Sequence, residues 1–272
     1  AVRVSTGGSG SIVSANGLVM TNHHVASDIL DKLSSAENNL LDAGFWAATL
    51  EDEIPCPDVH LDVLWSIEDV TARVEAAAAG MTPAEAGAAR MSAMTAIEDA
   101  AKARPGMHTE VVTLYQGGRY HLYTYRRFED IRLVFAPEKS IAFYGGDGDN
   151  FEYPRFCLDV TFLRIYEDGE PYTPEHFLTW SADGADEGEC TFVVGHPGRT
   201  QRLNTVAHLE YLRDHQVPSS MQGLMRSEVL LNIFGQASPE AARIAENDLF
   251  GVQNSRKVYV GRMAGLIDPA VF

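Results

Sequence analysis

Short runs of apolar residues separated by turn signals predict β-strands over much of the chain. Residues 10–25 are predicted to form a strand, a turn and a second strand, because Asn16-Gly17 is a turn signal between two runs of β-forming residues. The other predicted strands lie at residues 61–70, 111–115, 120–125, 158–166 and 190–195. These segments predict a fold rich in β-structure.

Helical spacing of apolar residues marks the intervening and later segments. The clearest helix is predicted from Thr82 to about Lys102, where Arg104-Pro105-Gly106 ends it. Thr82 is a favourable N-cap, Pro83 suits the first helical position, and Glu85 completes a capping box. The other helices are predicted at 27–41, 206–215, 219–234 and 239–250, the last of them capped by Ser238.

The order of these elements predicts two regions. Residues 1–205 are expected to form a β-rich region with a helical insertion at about 27–105, and residues 206–272 to begin a helical region. No internal repeat and no low-complexity linker separates them. The predicted fold class is therefore β-rich α+β.

Charge narrows the range of partners. The chain has 38 acidic residues against 21 Lys and Arg, for a net charge of −17, so nucleic acid and anionic lipid are not expected to bind it. The acidic surface favours solubility, and the alternative is that an acidic cleft attracts cationic peptides. No apolar stretch approaches the roughly 20 residues of a membrane span.

The chain start and the cysteines say little about the cellular compartment. Ala1 replaces an initiator Met, and no signal-peptide pattern follows it, so we expect a mature or clipped chain whose targeting segment is not visible. Cys56, Cys157 and Cys190 form no CxxC pair, and at most one disulfide is possible among them. Their pairing stays open.

A histidine turn supplies the first candidate for catalysis. A nucleophilic hydrolase of the trypsin type needs an imidazole beside its nucleophile and a carboxylate that fixes the imidazole tautomer. The turn Thr21-Asn22-His23-His24-Val25 follows a glycine-containing strand, as the histidine does in such barrels. His24 is the candidate because it immediately precedes the apolar residue of the turn.

An aspartate at the start of a predicted strand supplies the second candidate. The segment Asp159-Val-Thr-Phe-Leu-Arg-Ile has the pattern of the carboxylate strand in these hydrolases. Taken alone, an aspartate before a strand is usually a solvated turn residue. Because Asp159 follows His24 in the chain order that such a triad requires, it is the candidate carboxylate.

Metal and cofactor sites are not predicted. His23 and His24 are adjacent, and adjacent residues of a strand face opposite ways, so they are not expected to share an ion. The segment Asp147-Gly-Asp-Asn resembles a calcium loop, but Glu152 stands where an EF-hand needs Gly and Leu158 where it needs an acidic ligand. We therefore expect neither a metal nor a cofactor.

Five motifs together resemble a known family. They are Gly17-Leu-Val-Met-Thr-Asn-His-His, Ser66-Ile-Glu-Asp-Val-Thr, Gly145-Gly-Asp-Gly-Asp-Asn-Phe-Glu-Tyr-Pro-Arg, Gly195-His-Pro-Gly-Arg-Thr and Glu246-Asn-Asp-Leu-Phe-Gly-Val-Gln-Asn-Ser. The chain is similar over essentially its whole length to peptidase family S46, the bacterial dipeptidyl-peptidases 7 and 11. The resemblance implies a secreted or periplasmic serine exopeptidase that releases dipeptides from free N-termini. It also implies the first part of a chymotrypsin-like double β-barrel, leading into a truncated α-helical domain.

The same resemblance implies roles for individual residues. His24 is then the general base and Asp159 orients it, while Asn150 helps to hold the amino group of the substrate. Phe151 stands where the family usually has Trp, so the aromatic wall is kept without an indole N–H. Asn254 matches a second amine-binding Asn. Val25 replaces a frequent Cys, so no disulfide is expected at that point.

The nucleophile is the main departure from the family pattern. In the family it lies in a Gly-Asn-Ser-Gly type loop far downstream, and no Gly-x-Ser-Gly follows Asp159. Gly7-Gly8-Ser9-Gly10 imitates that loop but precedes His24, which is the wrong chain order. We therefore expect residues 1–272 alone to be inactive. The implied partners are peptides with a free N-terminus, and a homodimer is left open.

Two other functions are compatible with parts of the pattern. An endopeptidase resembling the HtrA proteins shares the histidine turn and the aspartate strand, but it has no need of an amine clamp such as Asn150. A non-catalytic peptide-binding module could keep the same fold and the amine pocket. The preferred side chain at the second substrate position cannot be predicted from these residues.

Overall fold

The computed structural model describes residues 1–102, 106–196 and 201–272. They divide into two units, each assembled from several stretches of chain. The sheet unit comprises Ala1–Val25, Ala47–Phe135 and Phe162–His196, and the helical unit comprises Ala26–Trp46, Ala136–Thr161 and the described part of Pro197–Phe272. Arg104-Pro105 and Pro197–Thr200, where the sequence predicts a helix stop and part of a turn, lie outside the described residues.

A mostly antiparallel sheet forms the framework of the sheet unit. The strands of the described residues are β1 (Val2–Val4), β2 (Ser9–Ile12), β3 (Leu18–Thr21), β4 (Phe45–Trp46), β5 (Ile54–Pro55), β6 (Leu61–Asp69), β7 (Met107–Leu114), β8 (Arg119–Phe128), β9 (Asp130–Ala136), β10 (Thr161–Glu167) and β11 (Glu170–Pro171). The spatial order β9-β10-β3-β2-β1-β6-β8-β7 joins neighbours in sequence as well as distant segments. With the helices below, these strands confirm an α+β fold.

The predicted turn between β2 and β3 is confirmed, and its geometry requires glycine. Ser14 Oγ accepts a hydrogen bond from the backbone N–H of Leu18 at 3.0 Å, which closes the turn. Gly17 has φ +73°, and a Cβ there would approach the backbone oxygens of Ile165 and Tyr172 to 2.9 Å. A side chain at this position would therefore be both strained and crowded.

The predicted caps at Thr82 and Ser238 are confirmed among the nine α-helices of the described residues. These helices are α1 (His23–Leu33), α2 (Leu40–Ala43), α3 (Thr71–Ala77), α4 (Pro83–Ala101), α5 (Lys139–Ala142), α6 (Gly146–Asp149), α7 (Val206–Tyr211), α8 (Val217–Gly235) and α9 (Pro239–Ile267), with 3₁₀ segments at Leu50–Asp52 and Tyr115–Gly117 and a π-helical turn at Leu212–Gln216. The capping box of α4 is confirmed, because the Thr82 side chain accepts from Glu85 N and Glu85 binds back to Thr82 N. Strand β6 lies within the interval 27–105 that was predicted as a helical insertion.

Each unit has its own buried cluster. In the sheet unit, α3 and α4 pack on β7 and β8 through Val70, Val74, Ile97, Val111, Tyr120 and Leu122. In the helical unit, α9 packs against the residues that precede and begin α8, through Leu212, Val217 and Leu266. Burial of these side chains, at about 1.5–3 kcal/mol each, is the main stabilising term for each cluster.

One predicted strand and the bounds of two predicted helices are wrong. Residues 190–195 form no strand, and Phe192 and Val193 are exposed, because the apolar run has no ladder partner among the described residues. The helix predicted at 27–41 begins earlier, at His23, and breaks after Leu33. Helix α9 continues through Gly251 to Ile267, because packing of its last turns outweighs the roughly 1 kcal/mol that an interior glycine costs.

A charged and aromatic cluster lies inside the sheet unit. Arg3 donates to Glu110 at 2.6 Å and to Asp62 at 3.2 Å, and its guanidinium carbon lies 4.5 Å from the ring centre of Tyr125. The His108 ring stacks on Tyr125 with ring centres 6.2 Å apart, and the His196 ring lies tilted against Tyr125 at 5.9 Å. Burial is the main cause that lowers the pKa of each histidine, and nearby arginines add to it.

These lowered pKa values predict an acid-sensitive fold. The unfolded chain binds protons at these histidines near pH 6.5, whereas the folded chain binds them only at lower pH. The free energy of unfolding should therefore fall as the pH drops from about 7.5 to 5.5. Urea titrations should show a shallower fall for His108→Gln/His196→Gln than for wild type. The exposed control His176→Gln should keep the wild-type slope, and equal slopes in all three proteins would contradict the prediction.

Candidate active site

His24 lies on the first turn of α1, directly after β3. The backbone around it is held by two side-chain hydrogen bonds, from Thr21 Oγ1 to the backbone oxygen of Ser9 at 2.9 Å and from Thr6 Oγ1 to that of Val25 at 2.8 Å. His23 is buried and His24 is exposed. The second histidine of the turn is thus the exposed one, and it lies on a helix start rather than in an irregular turn.

The glycine-rich segment before β2 has a packing role. Gly8 has φ +90°, and a Cβ there would lie 2.6 Å from Cγ2 of Val25. Ser9 Oγ accepts a hydrogen bond from the backbone N–H of His196 at 2.6 Å. Gly8 therefore allows close packing against Val25, and Ser9 holds the backbone at His196.

Asp159 lies in the helical unit, two residues before β10, and is partly buried. His24 belongs to the sheet unit. The two candidate triad residues are thus carried by different units, and the contact between their side chains stays a prediction.

The structure brings Asn150 and Asn254 together across 104 residues of sequence. Asn150 Nδ2 donates to Asn254 Oδ1 at 2.9 Å, from the C-cap of α6 to the middle of α9. Only 9% of Asn150 is exposed. The pair therefore forms a partly buried amide site within the helical unit.

The loop that carries Asn150 depends on its glycines. Gly145 has φ +79°, and a Cβ there would lie 1.9 Å from Oδ2 and 2.7 Å from Cβ of Asp149, so another residue would be both strained and crowded. Phe151 lies in the left-handed region at φ +67°, and the residue is 62% exposed. The aromatic side chain predicted beside the amide pair is therefore free to face a ligand.

Two cations hold this loop, and sequence reasoning assigned a role to neither. Arg155 Nη1 donates to Asn150 Oδ1 at 3.1 Å, and the same guanidinium binds the backbone oxygens of Tyr144 and Gly146. Lys257, one turn beyond Asn254 on α9, binds the backbone oxygens of 147, 148 and 150. Arg155 is the last residue of the motif that begins at Gly145, and its place in that motif was the only sequence feature that could have indicated a role.

Acidic groups around the same loop balance these charges. Asp147 lies 3.4 Å from Arg256 and 3.7 Å from Lys257, and Arg256 also pairs with Glu228 at 2.7 Å. Among the described residues, no group of three or more His, Cys, Asp or Glu side chains could hold a metal ion. No helix in the described ranges is long and apolar enough to cross a membrane.

Comparison with known proteins identifies the family. The model of Peptidase S46 matches residues 1–272. The chain belongs to this family, which confirms the resemblance seen in its motifs. It is 32% identical over 243 residues to the Asp/Glu-specific dipeptidyl-peptidase of Porphyromonas endodontalis and 30% identical over 277 residues to that of Flavobacterium psychrophilum. These alignments cover 82% and 94% of the chain, and 34% and 37% of the two relatives.

A solved structure has the same fold. The crystal structure of Porphyromonas endodontalis DPP11 in complex with the dipeptide Arg-Asp superimposes with a TM-score of 0.87 at 27% identity. The match covers 99% of the chain and 41% of that protein. The chain thus corresponds to about two fifths of a dipeptidyl-peptidase structure.

Proposed function

We propose that the protein carrying this chain is a serine-type dipeptidyl-peptidase, which releases dipeptides from peptides with a free N-terminus. Membership of family S46, with relatives named dipeptidyl-peptidase, supports this activity. The observation that carries the proposal is the amide pair of Asn150 and Asn254. A site that holds an N-terminal amine is needed by an exopeptidase and not by an HtrA-like endopeptidase.

The proposed chemistry assigns one role to each site residue. His24 takes the proton of a serine supplied from outside residues 1–272, and Asp159 fixes the His24 tautomer. The serine attacks the peptide carbonyl, the C–N bond breaks, and the shortened peptide leaves as an amine that takes the proton from His24. Water then hydrolyses the acyl-enzyme and releases the dipeptide. Phe151 is the aromatic wall beside the amine site. No cofactor takes part in these steps.

The same proposal extends to architecture and location. Residues 1–205 contribute the first part of a chymotrypsin-like catalytic domain, and residues 206–272 begin its helical domain. The protein acts in the periplasm or after secretion, where its peptide substrates are found. The antiparallel strand pairs of the sheet unit support the proposal of a chymotrypsin-like domain.

The amide pair suits an ammonium group because of its acceptors. A free N-terminal ammonium has donors only, so it needs oxygen atoms around it. Each carboxamide oxygen has two lone pairs, and Asn150 Oδ1 and Asn254 Oδ1 each use one in the contacts described above. In this proposal, the second lone pair of each oxygen accepts a hydrogen bond from the ammonium group of the substrate.

Asn150→Ala is the test of this assignment. The mutation should lower kcat/KM for a peptide with a free N-terminus by about 1–3 kcal/mol, or roughly 5- to 150-fold, because a charged donor loses its acceptor. The measurement uses the natural full-length protein with one peptide in free and N-acetylated forms. The acetylated form should be a poor substrate for wild type and should lose little further in the mutant.

A second asparagine of the helical unit serves as the control for Asn150→Ala. Asn232→Ala removes an exposed asparagine of the helical unit whose side chain donates to the backbone oxygen of Glu228 at 2.8 Å, and it should leave both rates unchanged. If wild type cleaves the free and the acetylated peptide equally well, the amine site does not exist. The endopeptidase interpretation would then replace the exopeptidase proposal.

A further inference from the structure

Arg155 binds the backbone of its own loop and also the side-chain amide of Asn150. Its guanidinium donates to Asn150 Oδ1 at 3.1 Å, to the backbone oxygen of Tyr144 at 3.0 and 3.1 Å, and to that of Gly146 at 3.1 Å. Its carbon Cζ lies 4.3 Å above the ring centre of Phe143. The side chain is thus fixed on four sides, and one of its contacts reaches the proposed amine site itself.

The chemistry of arginine determines which way the Asn150 amide faces. A guanidinium has only donors, so the atom of Asn150 that faces it must be the oxygen. The NH₂ group of Asn150 then faces Asn254, so the Asn254 atom that receives it must also be an oxygen. Arg155 therefore sets the orientation of the Asn150 amide directly and that of the Asn254 amide through Asn150.

Lys257 differs from Arg155 in this respect. It binds backbone oxygens of the loop at 147, 148 and 150, together with the carboxylate of Asp147. None of these bonds involves the side-chain amide of Asn150. Lys257 can therefore hold the loop in place without determining the orientation of either carboxamide.

We propose that Arg155 is a positioning residue, which keeps the carboxamide oxygens of Asn150 and Asn254 oriented as acceptors for the N-terminal ammonium of the substrate. This inference rests on the proposed dipeptidyl-peptidase function. Without a donor-only group at 155, either amide can rotate by half a turn and present NH₂ in place of oxygen. An NH₂ group cannot accept a bond from an ammonium, so such a rotation would remove the selectivity of the site for free N-termini.

The test compares substitutions that differ in donor and acceptor character. Arg155→Lys keeps a donor-only side chain, Arg155→Gln offers both a donor and an acceptor, and Arg155→Met offers neither. The measured quantity is the ratio of kcat/KM for a free peptide to kcat/KM for its N-acetylated form, on the natural full-length protein. This ratio cancels the concentration of folded enzyme, so a partly unfolded variant still gives a valid result.

The expected result is an ordered series. Arg155→Lys should keep most of the wild-type ratio, while Arg155→Gln and Arg155→Met should lower it about tenfold, the typical loss for one hydrogen bond to a charged group. In the Asn150→Ala background the same substitutions should change the ratio no further. The control Arg243→Gln removes an arginine of the helical unit that pairs with Glu240 and Asp31, and it should leave the ratio unchanged.

Two failures are distinguishable. If wild type shows no preference for the free peptide, the proposed function itself fails. If wild type shows the preference and Arg155→Gln or Arg155→Met retains it, the proposed function stands and the positioning role of Arg155 is overturned. Equal losses in the Lys, Gln and Met variants would also overturn it, because a donor-only replacement would then have no special effect.

Discussion

His24→Ala should lower kcat of the full-length protein by a factor on the order of 10⁵ to 10⁶, the largest effect expected from any single change in this chain. Without the imidazole, no group takes the proton from the attacking serine. The KM for a dipeptidyl substrate should change little, because the histidine acts on the reacting atoms rather than on substrate binding. Steady-state kinetics with a fluorogenic dipeptide checks both expectations.

The pairing of His24 with Asp159 can be tested in the same assay. Asp159→Asn should lower kcat by about 10⁴-fold, because the amide stabilises the wrong imidazole tautomer. Groups that act as a unit are not additive, so the double variant should be no slower than His24→Ala alone. Multiplied losses in the double variant would show that the two residues act independently.

Two exposed residues of the sheet unit serve as matched controls. The His176 side chain is 90% exposed, and Asp168 lies in a turn with φ +53°, a conformation that Asn also tolerates. His176→Ala and Asp168→Asn should both keep wild-type kcat. A loss below tenfold in His24→Ala, with the controls intact, would remove His24 from the proposed mechanism.

The features that the sequence predicted correctly depend on neighbouring residues. The turn at Asn16-Gly17 and the cap at Thr82 each follow from a few consecutive side chains, and both are confirmed. The helix start at Ser238 is confirmed for the same reason, since its side chain accepts from Ala241 N. Local chemistry favours the same boundaries as the folded chain, so they can be predicted without tertiary packing.

The features that could not be predicted depend on residues far apart in sequence. The last helix is predicted to end at residue 250, yet α9 continues through Gly251 because its later turns are packed. The apolar residues at 190–195 have strand propensity but no ladder partner among the described residues. Asn150 and Asn254 were each assigned by resemblance, whereas the bond between them and the contacts of Arg155 require the folded chain.

A buried ion pair in the sheet unit provides the largest expected effect on stability. Glu53 Oε1 accepts from Arg164 Nε at 2.8 Å, and Glu53 Oε2 accepts from the Tyr166 hydroxyl at 2.9 Å. Burial, together with this bond to Glu53, raises the pKa of Tyr166 to about 12. Arg164 also donates to the backbone oxygen of Asn16 at 2.9 Å, so the pair links β10 to the turn between β2 and β3.

Glu53→Gln should reduce the free energy of unfolding by about 3–5 kcal/mol, because it leaves the guanidinium of Arg164 buried without a counter-charge. That loss is a large part of the roughly 5–15 kcal/mol that stabilises a typical domain. Urea titration at constant pH measures it. The control Glu68→Gln removes an exposed carboxylate 3.8 Å from Arg73 and should cost at most about 1 kcal/mol. The double variant Glu53→Leu/Arg164→Leu should recover much of the lost stability, because no charge is then left buried. If the double variant is as unstable as Glu53→Gln, the unpaired charge is not the cause. The lost hydrogen bonds to Tyr166 and Asn16 would then account for the effect.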